Sequence, residues 1–539
     1  MKKILIYLML GSFALGTSSC KKFLDINENP NSPTAATPNL ILPQAIVGSA
    51  AISNSYNSSF AYPGGFFANV FGVGGYGATL NYNYTSTSFN GLWSSTYDNA
   101  LDYQYIINST ASDPTLAFSN GVAKIMKSFM FSKLVDNYND VPYTDALKGV
   151  QALTPKYDNA SEIYKDLVVQ INAALTEITA GQADINTIAI PESADPMFRG
   201  NMDLWKRFGN TLKLRLLIKM AGVAALQSFT TPEFAAFDNS IGVLQDDALV
   251  NPGYFRQAGQ VNPNYLFLAA NELDVRSQGQ VVPSTWMFSF YDGTKLDDSG
   301  RGSVIFRGFP NTATNQLGDI DAGDDIVSPS GSTSWFTGAS FGTASLGVAK
   351  SPTQGQPVIL LSEAKFLLAE AYQRGYLTGS AAEQFDAGVT ASFRYLFKTQ
   401  ANVVDASYDV AESVAQYKLD NPDSYLVNFA LTATPAAGDY NTNPLERGIE
   451  AIITQKYIAM NVINCDEAFA EYRRTKYPYI VRGSLDPTLT FASRASSSTS
   501  PDKLIVRLPY PLTEYAVNPG NVPANVNIFT AKVFWDVKN

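Results

Sequence analysis

Histidine is absent from all 539 residues. That excludes Ser-His-Asp and Cys-His catalysis, imidazole general bases and every zinc site that needs an imidazole. Carboxylate-pair chemistry and oxygen-ligated calcium or magnesium survive the absence. Cysteine is nearly missing too, with Cys20 and Cys465 alone. Two thiols at opposite ends of the chain fit one modified cysteine and one inert core thiol better than a disulfide. No segment beyond residue 20 is a continuous apolar run of about 18 residues, so no transmembrane helix is expected. Basic residues are in deficit, 38 against 48 acidic, for a formal charge of −10. An acidic surface repels phosphate backbones, so nucleic acid is excluded as a partner.

What is present begins with Met1-Lys2-Lys3, an apolar run from Ile4 to Leu15, and the small residues Gly16-Thr17-Ser18-Ser19 before Cys20. The pattern is a secretory signal over residues 1–19, with Cys20 placed for lipidation at the new N-terminus. Thr17 stands where an aliphatic residue is usual. An acyl chain on Cys20 would hold a soluble domain at a membrane without crossing it. Residues 20–43, rich in Asn and Pro, read as an extended linker, and residues 44–539 as a single domain.

Helical periodicity dominates that domain, mainly over 90–240 and 360–480. Asn159 and Glu162 form a capping pair ahead of Ile163, Leu167, Ile171 and Ile178. Trp205, Phe208, Leu212, Leu216 and Met220 repeat at helical spacing. Asn443-Pro444-Leu445-Glu446 is an N-cap followed by proline at the first helical position. Residues 362–397 read as a helical hairpin, with Gly375 and Gly379 at the turn and a Ser380–Glu383 capping box. Its length suits a tetratricopeptide unit, which repeats at about 34 residues.

Residues 241–358 differ. Gly, Ser, Thr, Asn and Asp replace the helical period, and a loop region this long in a compact domain is functional or disordered. Its many rings argue against disorder. Residues 56–105 are also ring-rich, with 14 aromatics in 50 positions against 12% chain-wide. Trp93, Tyr97 and Leu101 are at helical spacing and read as core. Tyr76, Tyr82 and Tyr84, with Asn83, have no such period.

Several segments resemble, in order, the SusD/RagB family of nutrient-binding lipoproteins. They are Cys20 with KKFLDINENPNSPT, DNYNDVPYTDAL (136–147), PKYDNASEIYKDL (155–167), LWKRFGNTLKLRLLIKM (204–220), LLSEAKFLLAEAY (360–372), ITQKYIAM…EAFAEYRRTKYP (453–478) and VRLPYPLTEYAVNPGNV (506–522). Asn139 stands where the family has a turn glycine, and the run LDDSGRGS (296–303) departs from a family anchor motif. The resemblance implies a mainly α fold, a tetratricopeptide-like helix-pair scaffold with a large loop-rich insertion over about 241–358 as the ligand-binding region. It implies a non-enzymatic captor of glycan, delivering to a SusC-like TonB-dependent transporter, lipid-anchored in the outer membrane and facing outward. Peptide capture is the alternative within the family. Arg215, Arg473 and Arg474 read as scaffold ion-pair residues.

A sugar presents flat C–H faces and rings of hydroxyls, so its site needs exposed aromatic platforms beside amide and carboxylate groups. Trp335, in the small polar run GSTSWFTGAS, is the first candidate, followed by Trp286 and Tyr82, then Tyr84, Asn83, Tyr76, Tyr291 and Phe336. Asp319, Asp321, Asp324 and Asp325 space oxygen ligands as calcium requires. A solvated acidic loop explains the same spacing, and no metal or cofactor is expected. The rivals from other classes are a secreted glycoside hydrolase using two carboxylates and a tetratricopeptide scaffold that binds only protein. The anchor has a direct check. Cys20→Ser should move the protein from the membrane fraction to the soluble fraction, and undiminished membrane retention would contradict lipidation.

Overall fold

The computed structural model describes residues 37–70, 74–276, 280–321, 334–338 and 346–538. The expected signal, Cys20 and most of the expected linker therefore lie outside the described residues. The first helix, α1 (Pro38–Phe60), takes up positions 38–43, which the sequence reading gave to the linker. Proline is tolerated in a first helical turn because its missing N–H would be unpaired there anyway.

The next helices are α2 (Asn90–Thr110), α3 (Ala117–Tyr138), α4 (Ala160–Ala183) and α5 (Met202–Ala221). Each packs on its predecessor. The caps read from sequence are in place. The Asn159 side chain accepts from the amides of Ser161 and Glu162; Asn201, unremarked in the sequence, does the same for Asp203 and Leu204. Each such cap contributes about 1 kcal/mol. The apolar stripes face inward, with Ile163, Leu167, Ile171, Trp205, Phe208 and Leu212 buried. Leu101 is an exception, lying exposed on α2 while Trp93 is buried. Asn139 ends α3 at φ 64°, and its Oδ1 accepts from the Phe534 amide at 2.7 Å. Glycine adopts a positive φ most readily, and the asparagine adds a tie that glycine would lack.

The second helical block is the hairpin α10 (Leu361–Gln373) and α11 (Ala381–Phe397), then α12 (Val410–Asp420), α13 (Pro444–Ala459) and α14 (Cys465–Thr475). Ser380 caps α11 by accepting from the Glu383 amide, and Asn443 caps α13. Gly375 turns the hairpin at φ 72°. Cys465 is a free thiol at zero exposure, its pKa pushed well up by burial. The result is the mainly α, tetratricopeptide-like scaffold expected. No helix among the described residues is long and apolar enough to cross a membrane.

Between α5 and α10 lie short elements: α6 (Gln227–Ala235), α7 (Pro263–Leu268), α8 (Thr285–Phe288), α9 (Ser299–Ile305) and strands β4 (Ala248–Val250), β5 (Val281–Pro283) and β6 (Gln356–Ile359). Antiparallel ribbons pair β5 with β1 (Phe67–Asn69) and β4 with β6, and a third joins β2 (Val141–Pro142) to β3 (Tyr157–Asp158). The insertion is fastened by the run that departs from the family motif. Asp298 and Arg301 form an ion pair at 2.5 Å with both side chains at zero exposure. Arg301 also donates to Ser392 on α11 and Gln455 on α13.

The two helical blocks meet through buried charge. The Lys219 ammonium lies 2.8 Å from Asp136 and 2.7 Å from Glu467, joining α5 to α3 and α14. Arg215 pairs with Glu363 of α10 at 2.5 Å. Arg474 grips Glu370 through two bonds of 2.7 and 2.6 Å. Glu370, itself buried, also takes the partly open Arg374 at 2.7 Å. Arg473 differs from the sequence reading. It makes no ion pair among the described residues, and instead lies over Phe469 and Trp535 while donating to the Val506 carbonyl. Burial opposes charge on Lys219, but Asp136 and Glu467 outweigh it and hold its pKa above the ordinary range.

Glu450 on α13 is the counter-case, a buried carboxyl with no ion pair among the described residues. Its Oε2 accepts from Tyr425 Oη at 2.7 Å and Asn441 Nδ2 at 2.8 Å. Burial raises its pKa from 4.5 to about 7, and the Tyr425 bond offsets little of this. Between these values the native carboxyl keeps a proton that the unfolded chain has released, so stability falls as pH rises through the window. Glu450→Gln should therefore raise the unfolding free energy at pH 8 by about 1–3 kcal/mol and leave it unchanged at pH 4. Urea titrations at the two pH values check this.

Candidate functional site

The run Phe66-Phe67-Ala68-Asn69-Val70 is apolar except for one asparagine. Apolar residues draw it into the core as β1, where Phe67, Ala68 and Asn69 pair with Pro283, Val282 and Val281. Asn69 is buried and works as a bracket. Its Oδ1 accepts from the Gly318 amide at 2.9 Å, and its Nδ2 donates to the Asp319 carbonyl at 2.9 Å. Asn315 completes the bracket by donating to the Asn69 and Asp319 carbonyls. A third segment joins when the Arg494 amide donates to the Leu317 carbonyl and its guanidinium pairs with Asp319 at 2.6 Å. The Ser493 amide donates to Tyr82 Oη, and the Ser497 amide to the Asn81 carbonyl, which adds the loop after β1. Segments distant in sequence thus meet around the β1–β5 ribbon. Gly318 is required there. At φ 79°, a Cβ would stand 2.2 Å from Ser493 Oγ.

Most rings that the sequence singled out do not lie open around the ribbon. Trp286 is only 2% exposed. Lys295 Nζ covers its ring 3.1 Å from the centroid, and Phe290 and Phe491 pack beside it. Tyr82 is fully buried, at φ 60°. Tyr291 is buried against Phe306, its hydroxyl accepting from Asn461. Phe336 is buried between Phe67 and Phe306. The expectation of exposure for these four is corrected. Short elements carry little core of their own, so the loops spend their rings on attachment to the scaffold. Small neighbours let the backbone approach closely and turn rings inward rather than leaving them open.

Trp335, Tyr76, Tyr84 and Asn83 are placed otherwise. Trp335 is partly open and, like Ala313, packs on Ala68, Val70 and Val282, one side of the ribbon. Tyr76 is half-buried at the ribbon's end. Its hydroxyl accepts from the Val70 amide and donates to the Gln280 carbonyl. Tyr62, unremarked in the sequence, meets Tyr76 edge-on at 6.4 Å between centroids. Tyr84 is half-buried against Phe89, and Asn83 is exposed. Burial raises the pKa of Tyr76 and Tyr84, so both phenols are neutral at physiological pH. Of the calcium-spaced set, Asp319 is already neutralised by Arg494 and Asp321 is exposed. Asp324 and Asp325 lie outside the described residues. Among the described residues, the surroundings of the ribbon therefore offer partly open rings, neutral phenols, the exposed Asn83 amide and the Arg494–Asp319 pair.

The sequence reading missed Asn69, Asn315 and Arg494. Asn69 could have been found, since a lone amide in an apolar strand has to bond locally. Nothing in the local pattern around Arg494 marks it. Also missed was an open ring pair elsewhere, Tyr440 and Tyr479, stacked at 4.5 Å between centroids.

A family model described as "Starch-binding associating with outer membrane" matches residues 30–511. The chain belongs to the SusD-like family. Solved structures agree on the fold. A chitin-binding protein superposes with a TM-score of 0.66 at 24% identity, covering 93% of this chain and 99% of that one. A SusD homologue from Bacteroides uniformis gives 0.66 at 21%, covering 92% and 99%. A chitin-binding SusD homologue from Flavobacterium johnsoniae gives 0.64 at 21%, again covering 92% and 99%. No curated protein sequence matches the chain. At these identities the superpositions establish the SusD-like fold, and the ligand has to be argued from the site itself.

Proposed function

We propose that this SusD-like protein captures glycan at the cell surface and passes it, unaltered, to a SusC-like TonB-dependent transporter. In this reading an acyl chain on Cys20 holds it to the outer membrane, facing outward. The observation that carries the reading is the pairing of partly open rings, Trp335 and Tyr76, with neutral polar groups on one rigid ribbon. Uncharged sugars need such a surface: a ring face for C–H groups and fixed amides and hydroxyls for the rest. The family's starch-binding, outer-membrane description and the chitin-binding names of two structural neighbours favour the same class of ligand. The candidate ligand residues become Trp335, Tyr76, Tyr84 and Asn83, with Tyr62 and Arg494 beside them.

Capture and hydrolysis differ in what is returned. Calorimetry of the mature protein against starch-derived, chitin-derived and peptide panels should give binding to one glycan class. Trp335→Ala and Tyr76→Ala should each weaken it about two- to tenfold, measured at a temperature where circular dichroism shows each variant folded. Chromatography should recover the glycan at its original length. Shortened products would favour the carboxylate-pair hydrolase, and binding confined to peptides would move the reading to peptide capture.

A further inference from the structure

Away from the ribbon, the β2–β3 connection and helices α2, α3 and α4 border a cleft of about 530 Å³. That is within the size range of small-ligand pockets. Gln104 and Asn108 line it from α2, Lys127 from α3, Asp166 and Gln170 from α4, and Tyr143 from the connection. Asn108 is exposed and the other five are half-buried, so each can meet a ligand. Short contacts gather them around one place. The Lys127 ammonium donates to Gln104 Oε1 at 2.7 Å, and Gln104 Nε2 donates to Asn108 Oδ1 at 2.7 Å. That chain fixes both amides and leaves Asn108 Nδ2 as a donor at its open end. The Tyr143 ring lies 5.6 Å from the same ammonium, and its hydroxyl donates to Asp166. Gln170 Nε2 leans on that carboxylate at 3.4 Å.

Lys127 is the group that asks for a ligand. An ammonium has three donors, yet this one makes one hydrogen bond and no ion pair among the described residues. Burial lowers its pKa while Asp166 acts to raise it, so the two charges sense each other across the cleft without pairing. Lys148 also lines the cleft and is paired with Asp145 at 3.0 Å, which leaves the charge balanced. We propose that this cleft binds a short neutral saccharide, a second contact for glycan apart from the ribbon. A sugar hydroxyl both accepts and donates, as any alcohol does. It can take the spare donors of Lys127 and Asn108 and give to Asp166. A carboxylate ligand would meet Asp166, and an ammonium ligand would meet Lys127. The inference rests on the glycan reading for the class of ligand and adds a place for it on the helical scaffold.

Calorimetry and hydrogen–deuterium exchange of the mature protein with maltotriose and with chitotriose test the assignment. One of the two should slow exchange over residues 143–151, in the parent and equally in the variant that combines Trp335→Ala with Tyr76→Ala. Asn108→Ala changes an exposed side chain, so it should leave the melting temperature unchanged. It should raise the saccharide concentration needed for that protection about three- to tenfold. Lys127→Met, measured where circular dichroism shows it folded, should raise it about tenfold or more. Slowed exchange around the ribbon alone would overturn the second site and leave the glycan reading standing. No calorimetric binding of either saccharide would overturn both. Protection of 143–151 that is unchanged in Asn108→Ala and Lys127→Met, or that acetate or ethylammonium produces as well as the saccharide, would overturn the second site.

Discussion

Lys219 sits at zero exposure between Asp136 and Glu467, and the two helical blocks are held together around it. Taking three charges out of water is costly, and only short, well-satisfied contacts offset that cost. Here the two contacts to Lys219 are short. Asp136 also accepts from Tyr164 and from Trp535 Nε1, so the C-terminal segment closes over the same carboxylate. Glu467 is held well below its ordinary pKa. Burial pushes the other way, and Lys219, Arg215 and Lys456 overwhelm it. Arg215–Glu363 and Arg474–Glu370 extend the lock to the helical hairpin. Such pairs have directional geometry that apolar packing lacks, and so they fix how one block meets the other.

A fixed scaffold is what a loop-built face requires. The insertion has few long elements, and it borrows rigidity at defined points. Asp298–Arg301 fastens it to α11 and α13, and the Asn69–Asn315 bracket clamps it to the ribbon. Rings that might have served a ligand are used as ballast instead, with Trp286, Tyr291 and Phe336 seated in the core. What remains open, Trp335 and Tyr76, lies on the ribbon itself, where the backbone is paired.

The helical half of the fold was legible because its signals are local. Asn159, Ser380 and Asn443 announce helix starts through side-chain bonds to amides two or three residues on, and each does so in the structure. The stripe from Trp205 to Met220 is buried as its period requires. The site was less legible because its geometry is non-local. Whether Trp286 or Trp335 ends up open depends on Lys295, Phe491 and the ribbon pairing. The chain neighbours of either tryptophan carry no trace of these. The small polar surroundings that pointed to Trp335 surround Tyr82 equally, yet Tyr82 is buried under Ser493. Buried charge was partly legible. Arg215 and Arg474 behave as scaffold residues, whereas Arg473 stacks on rings, a distinction that composition does not carry.

Equilibrium urea unfolding of Lys219→Met against the parent protein tests the lock most directly. Methionine fills similar volume and removes the charge, so Asp136 and Glu467 would lose the cation between them. A stability loss of about 3–5 kcal/mol is the expected result. A midpoint and slope indistinguishable from the parent would contradict the claim that buried charge joins the two halves.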